Sequence, residues 1–101
     1  MLDRVDRMLM AVRSRERASE TFARLLGAEP VREATSDRLA ADCTVMAIGE
    51  SELELYEPRD AGPVRDHLER WGEGLFAAGY STPSIDALAD RLDRLGAAYA
   101  R

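Results

Sequence analysis

With 101 residues, 46% hydrophobic and 33% charged, the chain has room for one globular domain and a single core. Its formal charge of -5, with arginines dispersed among acids rather than gathered in a patch, disfavours nucleic acid as a partner. No apolar run approaches a bilayer span, no basic leader precedes an apolar centre, and the lone Cys43 has no internal disulfide partner. We therefore expect a cytoplasmic protein with no membrane association.

Residues 2–12 read as a strand with Met8, Met10 and Val12 on one face and Arg7, Leu9 and Ala11 on the other. An arginine in the apolar part of that strand is the first anomaly. Ser14 then offers a helix N-cap, Glu16 sits in the first turn, and Ala18, Phe22, Leu25 and Leu26 follow at helical spacing until Gly27 stops the helix. Residues 30–34 have the character of a short edge strand and 35–38 of a polar turn. Residues 40–48 form a strand of small and branched side chains in which Cys43 reads as packed core. Gly49 turns the chain into G-E-S-E-L-E-L-Y-E-P, where Leu53 and Leu55 alternate with Glu52, Glu54 and Tyr56. Such a row either lines a site or simply faces water.

After the linker P-R-D-A-G, Pro63 opens a short helix with Val64, Leu68 and Trp71 on one side, closed by Gly72 and Gly74. The only histidine, His67, lies in this helix and reads as a surface or half-buried residue. Residues 75–80 form a strand weakened by Gly79. Ser84 caps a last helix, in which Ile85, Leu88, Leu92 and Leu95 lead to a stop at Gly96; the five residues after it are too few to form much. The stretch from Ser14 to Gly27 resembles that from Ser84 to Gly96, each behind a strand, at an offset of 70 residues at the cap. Two β-α openings of like length imply a duplicated module. No hydrolase motif, phosphate loop or dinucleotide fingerprint occurs.

The run V-D-R-M-L-M-A-V, the helix ending F-A-R-L-L-G, the strand E-L-E-L-Y-E-P, the linker helix ending L-E-R-W-G-E-G-L and the helix ending R-L-D-R-L-G occur in order over nearly the whole chain. Together they resemble the vicinal oxygen chelate superfamily, nearest its methylmalonyl-CoA epimerase and glyoxalase branch. The resemblance implies an α+β fold: a first β-α-β-β-β module over residues 1–58, a linker helix over 59–73, and the β-α start of a second module over 74–101. In that family paired modules form a cup in which a divalent metal is held by residues of the first and last strands of each. Carried over, the first ligand position falls on Arg7, the second on Glu54 and the third on Ala77, while the fourth would lie beyond Arg101. Guanidinium has no lone pair to give a metal, and alanine has none either, so Glu54 alone retains a donor.

These residues lead to the expectation of a superfamily member without a metal or other cofactor. It would bind a small molecule in its cup through Arg7, Glu52, Glu54, Tyr56 and Trp71, or act as an interaction module. A cationic ligand, as in bleomycin-resistance relatives, would suit the acids. One alternative is a lyase or isomerase acting next to a carbonyl, with Glu54 as general base or sole retained metal ligand. Another is a piece of a longer enzyme. An open second module further implies a homodimer or a partner subunit covering it.

Overall fold

The computed structural model describes residues 1–99. Five strands and three helices follow one another as β1 (Arg4–Ala11), α1 (Arg15–Leu26), β2 (Glu29–Ser36), β3 (Ala41–Ile48), β4 (Ser51–Pro58), α2 (Pro63–Trp71), β5 (Gly74–Ser81) and α3 (Ile85–Arg94). The strands form one sheet in the order β2-β3-β4-β1-β5, with β1 parallel to β4 and all other pairings antiparallel. Residues 1–58 thus give the expected β-α-β-β-β module, with the strands of Arg7 and Glu54 side by side. Of the last five residues, 97–99 carry no helix or strand, and 100–101 lie outside the described residues.

Helix ends follow the capping logic of the sequence. The Ser14 hydroxyl accepts from the Arg17 N–H, and that of Ser84 from the Ala87 N–H. Gly27 ends α1 in the left-handed conformation (φ 69°). Gly49, at φ 57°, makes the two-residue turn that brings Ile48 opposite Ser51 and so fixes the β3-β4 register.

Strand alternation divides the core in two. On the face toward α1, Val12, Ala28, Met46, Leu53 and Leu55 are buried, with Met10, Ala18 and Phe22 packed against them. On the opposite face, hereafter the cup face, Ala11, Ala41, Cys43, Val45 and Tyr56 are buried beneath Val64 and Leu68 of α2, with Leu9, Leu39 and Phe76 alongside. The linker helix therefore closes one end of the cup face and leaves the Arg7 end open.

The duplication appears in the pairing itself. Met8 and Ala78, seventy residues apart and so equivalent in the two modules, pair with each other in the antiparallel β1-β5 ladder. A pseudo-two-fold axis passes between them, which places the two module openings back to back. Opposite Gly79 the ladder is irregular: Val5 pairs Tyr80 and Arg7 pairs Gly79, so Asp6 is one residue extra on β1.

Several expectations are corrected. Leu25 and Leu26 are 63% and 61% exposed, so α1 seats on the sheet through Ala18 and Phe22 and its last turn stands clear, with the chain re-entering the core at Ala28. Met8 is 42% exposed, while Met10 and Val12 pack on the α1-facing side. The edge strand β2 runs to Ser36 and is exposed along almost its whole length. The polar turn follows it and places Ala40 at φ 50°. Trp71 does not continue the buried stripe of Val64 and Leu68. The helix ends at that residue, which is 70% exposed, with the Arg70 guanidinium 5.3 Å from the ring centre.

Candidate functional site

The parity of β1 and β4 decides which polar groups meet. Because β1 runs parallel to β4 with Leu9 beside Glu54 and Arg7 beside Glu52, Arg7, Glu52, Glu54 and Tyr56 all project onto the cup face. Glu54 is buried, yet both of its oxygens have donors. The Tyr56 hydroxyl donates to Oε1 at 2.7 Å and Arg7 Nη1 donates to Oε2 at 3.1 Å. Arg7 Nε also donates to Asp6 Oδ1 at 3.3 Å, a contact between sequence neighbours that follows from the extra residue at Asp6. The Arg7 side chain remains 41% exposed, so the pair has one enclosed and one open partner.

A second pair lies beside the first. Arg32 on the edge strand donates from Nη1 and Nη2 to the two oxygens of Glu52, at 2.9 and 3.0 Å. Sequence reasoning missed Arg32. Its place depends on the β2-β3 register, which shifts between Pro30 and Arg32, so simple alternation from either end of the strand would not locate it. The fork geometry holds the Glu52 carboxylate below its usual range, chiefly through the hydrogen bond from Arg32.

The rest of the cup floor stays neutral. Burial, reinforced by the hydrogen bond to Glu54, pushes the Tyr56 phenol far above its ordinary value and keeps it a donor. Burial likewise pushes the Cys43 thiol up to about 11, against a hydrogen bond with Tyr56 that works the other way. Cys43 is thus an inert core side chain, as its sequence context implied. Phe76 meets the Tyr56 ring edge-on at 5.8 Å between centres and lies 5.9 Å from the His67 ring. Ala77 faces Leu9 and contributes no polar atom, and Trp71 stands outside this cluster.

The divalent metal implied by the family does not fit these residues. Arg7 occupies one face of Glu54, and among the described residues no three His, Cys, Asp or Glu side chains converge as a donor set. A hollow of about 830 Å³ lies on the other face, beside the start of α1. It belongs to a structural clasp: Arg15 donates from Nη1 to Glu33 at 2.6 Å and to Thr44 at 3.3 Å, while the Arg15 backbone N–H donates to Glu57 at 2.9 Å. A smaller hollow, about 280 Å³, lies at the Arg7 end of the sheet, bordered by Val5, Arg7, Met8, Ile48, Ser51 and Glu52; Met8 and Ile48 put it mainly on the α1-facing side.

Comparison with known proteins agrees with the fold. A family model described as the glyoxalase/bleomycin resistance protein/dioxygenase superfamily matches residues 6–101. The chain belongs to this superfamily. A methylmalonyl-CoA epimerase from Mycobacterium tuberculosis superposes with a TM-score of 0.88 at 22% identity, over 94% of this chain and 65% of that one. A Streptomyces coelicolor methylmalonyl-CoA epimerase in complex with 2-nitronate-propionyl-CoA gives 0.84 at 23% identity, over 95% and 74%. A hypothetical protein from Bacillus halodurans gives 0.83 at 21%, over 92% and 68%. This member of the superfamily therefore spans under two thirds of the mycobacterial epimerase, and at these identities the likeness concerns the fold. No curated protein sequence matches it.

Proposed function

We propose that this superfamily member binds a small molecule on the open part of its cup face without a metal, as a binding protein rather than a lyase or isomerase. The observation that carries this reading is the Arg7–Glu54 contact, which puts a fixed positive charge where the family would place one on an ion. Glu54 is poorly placed as a general base, because a substrate proton would have to compete with a guanidinium and a phenol that already hold its oxygens. Glu52 and Glu54 each face an arginine and Asp6 shares Arg7, so three acids stand against two arginines and a cationic ligand loses most of its attraction. An uncharged or zwitterionic polar molecule fits better. Two of the five Arg7 N–H groups are engaged, by Asp6 and Glu54, and with the side chain 41% exposed the others remain to donate to a ligand carbonyl or carboxylate. Trp71, standing outside the cluster, has a role only for a ligand that reaches past α2. The open second module is covered by a second copy or a partner subunit. The 65% span of the mycobacterial epimerase supports a second reading, in which these strands are the shared part of a longer enzyme.

The deciding experiment is elemental analysis of the purified chain combined with an epimerase assay on methylmalonyl-CoA, the ligand carried by one structural relative. The expected result is no stoichiometric divalent ion and no turnover when magnesium, cobalt or zinc is added. About one ion per chain together with turnover would overturn the reading and restore the lyase or isomerase alternative.

A further inference from the structure

Gly79 is the one glycine at which an added side chain would collide with a residue of the cup floor. Its backbone is not in the left-handed region, so conformational freedom does not explain it. A β-carbon built there runs into Arg7 Cγ, and lies 2.6 Å from Arg7 Cδ and 3.1 Å from Arg7 Nε. The arginine stem therefore lies flat on bare β5 backbone. The same place holds the register irregularity of the β1-β5 ladder, where the extra Asp6 meets Arg7 Nε.

We infer that Gly79 is a positioning residue of the binding site: together with the Asp6 irregularity it forms the seat that aims the Arg7 guanidinium at Glu54. The inference rests on the metal-free reading of the cup floor and deepens it. The second module contributes to the site by what it leaves out. At Ala77 it offers no ligand, and at Gly79 it offers the space in which the first module's cation is set. Any β-carbon at position 79 must push the Cγ–Nε stem off β5. The stem is flexible and half exposed, so it can move without unfolding the sheet. The displaced guanidinium then leaves Oε2 of Glu54 and the opening of the cup together.

Gly79→Ala tests this in two backgrounds. In the otherwise natural chain the Arg7 Nε–H signal in a proton–nitrogen NMR spectrum should shift, its contact with Glu54 should disappear, and the thermal midpoint should fall by roughly 5 °C or more, the loss of about one charge-assisted contact. In an Arg7→Ala background, which has no stem to displace, the same substitution should leave the midpoint within about 2 °C or raise it, because glycine inside a strand is unfavourable in itself. A control, Ala78→Val on the opposite face of β5, should leave the Arg7 signal in place. An equal fall in both backgrounds, or an unmoved Arg7 signal in Gly79→Ala, would overturn the inference and make Gly79 a purely structural glycine. If Gly79→Ala alone fails to fold, folding of the Arg7→Ala/Gly79→Ala chain supports the inference and its failure overturns it. Elemental analysis reads the metal question separately, so either conclusion can fail while the other stands.

Discussion

At Glu54 a buried carboxylate is held by two donors of different kinds, and they are not equivalent. The Tyr56 phenol is enclosed and neutral, whereas the Arg7 guanidinium brings the compensating charge and is partly open to water. Arg7→Met leaves the charge on Glu54 with only the phenol. For an enclosed ion pair such a loss is about 3 to 5 kcal/mol, and the exposure of Arg7 lets water recover part of it, so we expect about 2 kcal/mol in urea unfolding. Removing the whole group as Arg7→Met/Glu54→Leu/Tyr56→Phe leaves neither a buried charge nor an orphaned hydroxyl, and should cost less than Arg7→Met alone. Losses that simply add would show that the three side chains act independently. Strand parity puts Arg7 and Glu54 each on the face opposite its strand's α1-facing residues, but that their two strands adjoin was implied only by the family resemblance. Arg32 was not legible in the sequence, because a single shifted register separates it from Glu52. Arg15 was also missed, although a cation in the first turn of a helix opposes the helix dipole and so signals a specific partner.

Among the elements, α1 shows where periodicity stops being informative. Ser14, the spacing of Ala18 and Phe22, and Gly27 gave its existence and both ends. They did not say which turns the sheet would cover. Helical spacing allows Phe22, Leu25 and Leu26 to share one broad stripe, but the contacts α1 makes with β3, β4 and β2 take up Ala18 and Phe22, and the final turn is left in solvent. The same happens in α2, whose buried stripe stops at Leu68 although the helix runs on to Trp71. The stability of the two faces should differ accordingly. Phe22→Ala should cost about 2 to 3 kcal/mol, less than for a fully enclosed ring, by loss of its packing on the buried cluster of the α1-facing side. Leu25→Ala and Leu26→Ala should each stay within about 0.5 kcal/mol. If chemical denaturation gave Leu25→Ala a loss as large as that of Phe22→Ala, the last turn would have to be covered by something in solution.

For the whole molecule the two sheet edges differ in a way that bears on its partners. The β2 edge carries Pro30, Arg32, Glu29 and Glu33 and a register shift, devices that keep a free edge from pairing with other chains. The β5 edge, Gly74–Ser81, has no charged residue and no proline, and β1 is its only neighbour among the described residues. The helix that follows β5 in the chain, α3, exposes Ile85 and its C-cap Leu95, with only Ala89 buried, and Leu75 and Tyr80 of β5 and Met8 of β1 are exposed as well. An edge so unprotected, beside so much apolar surface, is the composition of a covered interface rather than of a solvent boundary. The repeat pointed to a second module with an opening strand and helix; the sequence did not show that α3 would touch the sheet so little. We expect the chain of residues 1–101 to self-associate, with a sedimentation coefficient that rises with concentration in the micromolar range. Leu75→Lys, which puts a charge on the β5 edge strand and away from the cup floor, should shift the chain toward monomer without changing its circular dichroism. A monodisperse monomer across that range, unfolding in one cooperative transition, would mean that β5 and α3 are stable uncovered, and the partner reading would fall with it.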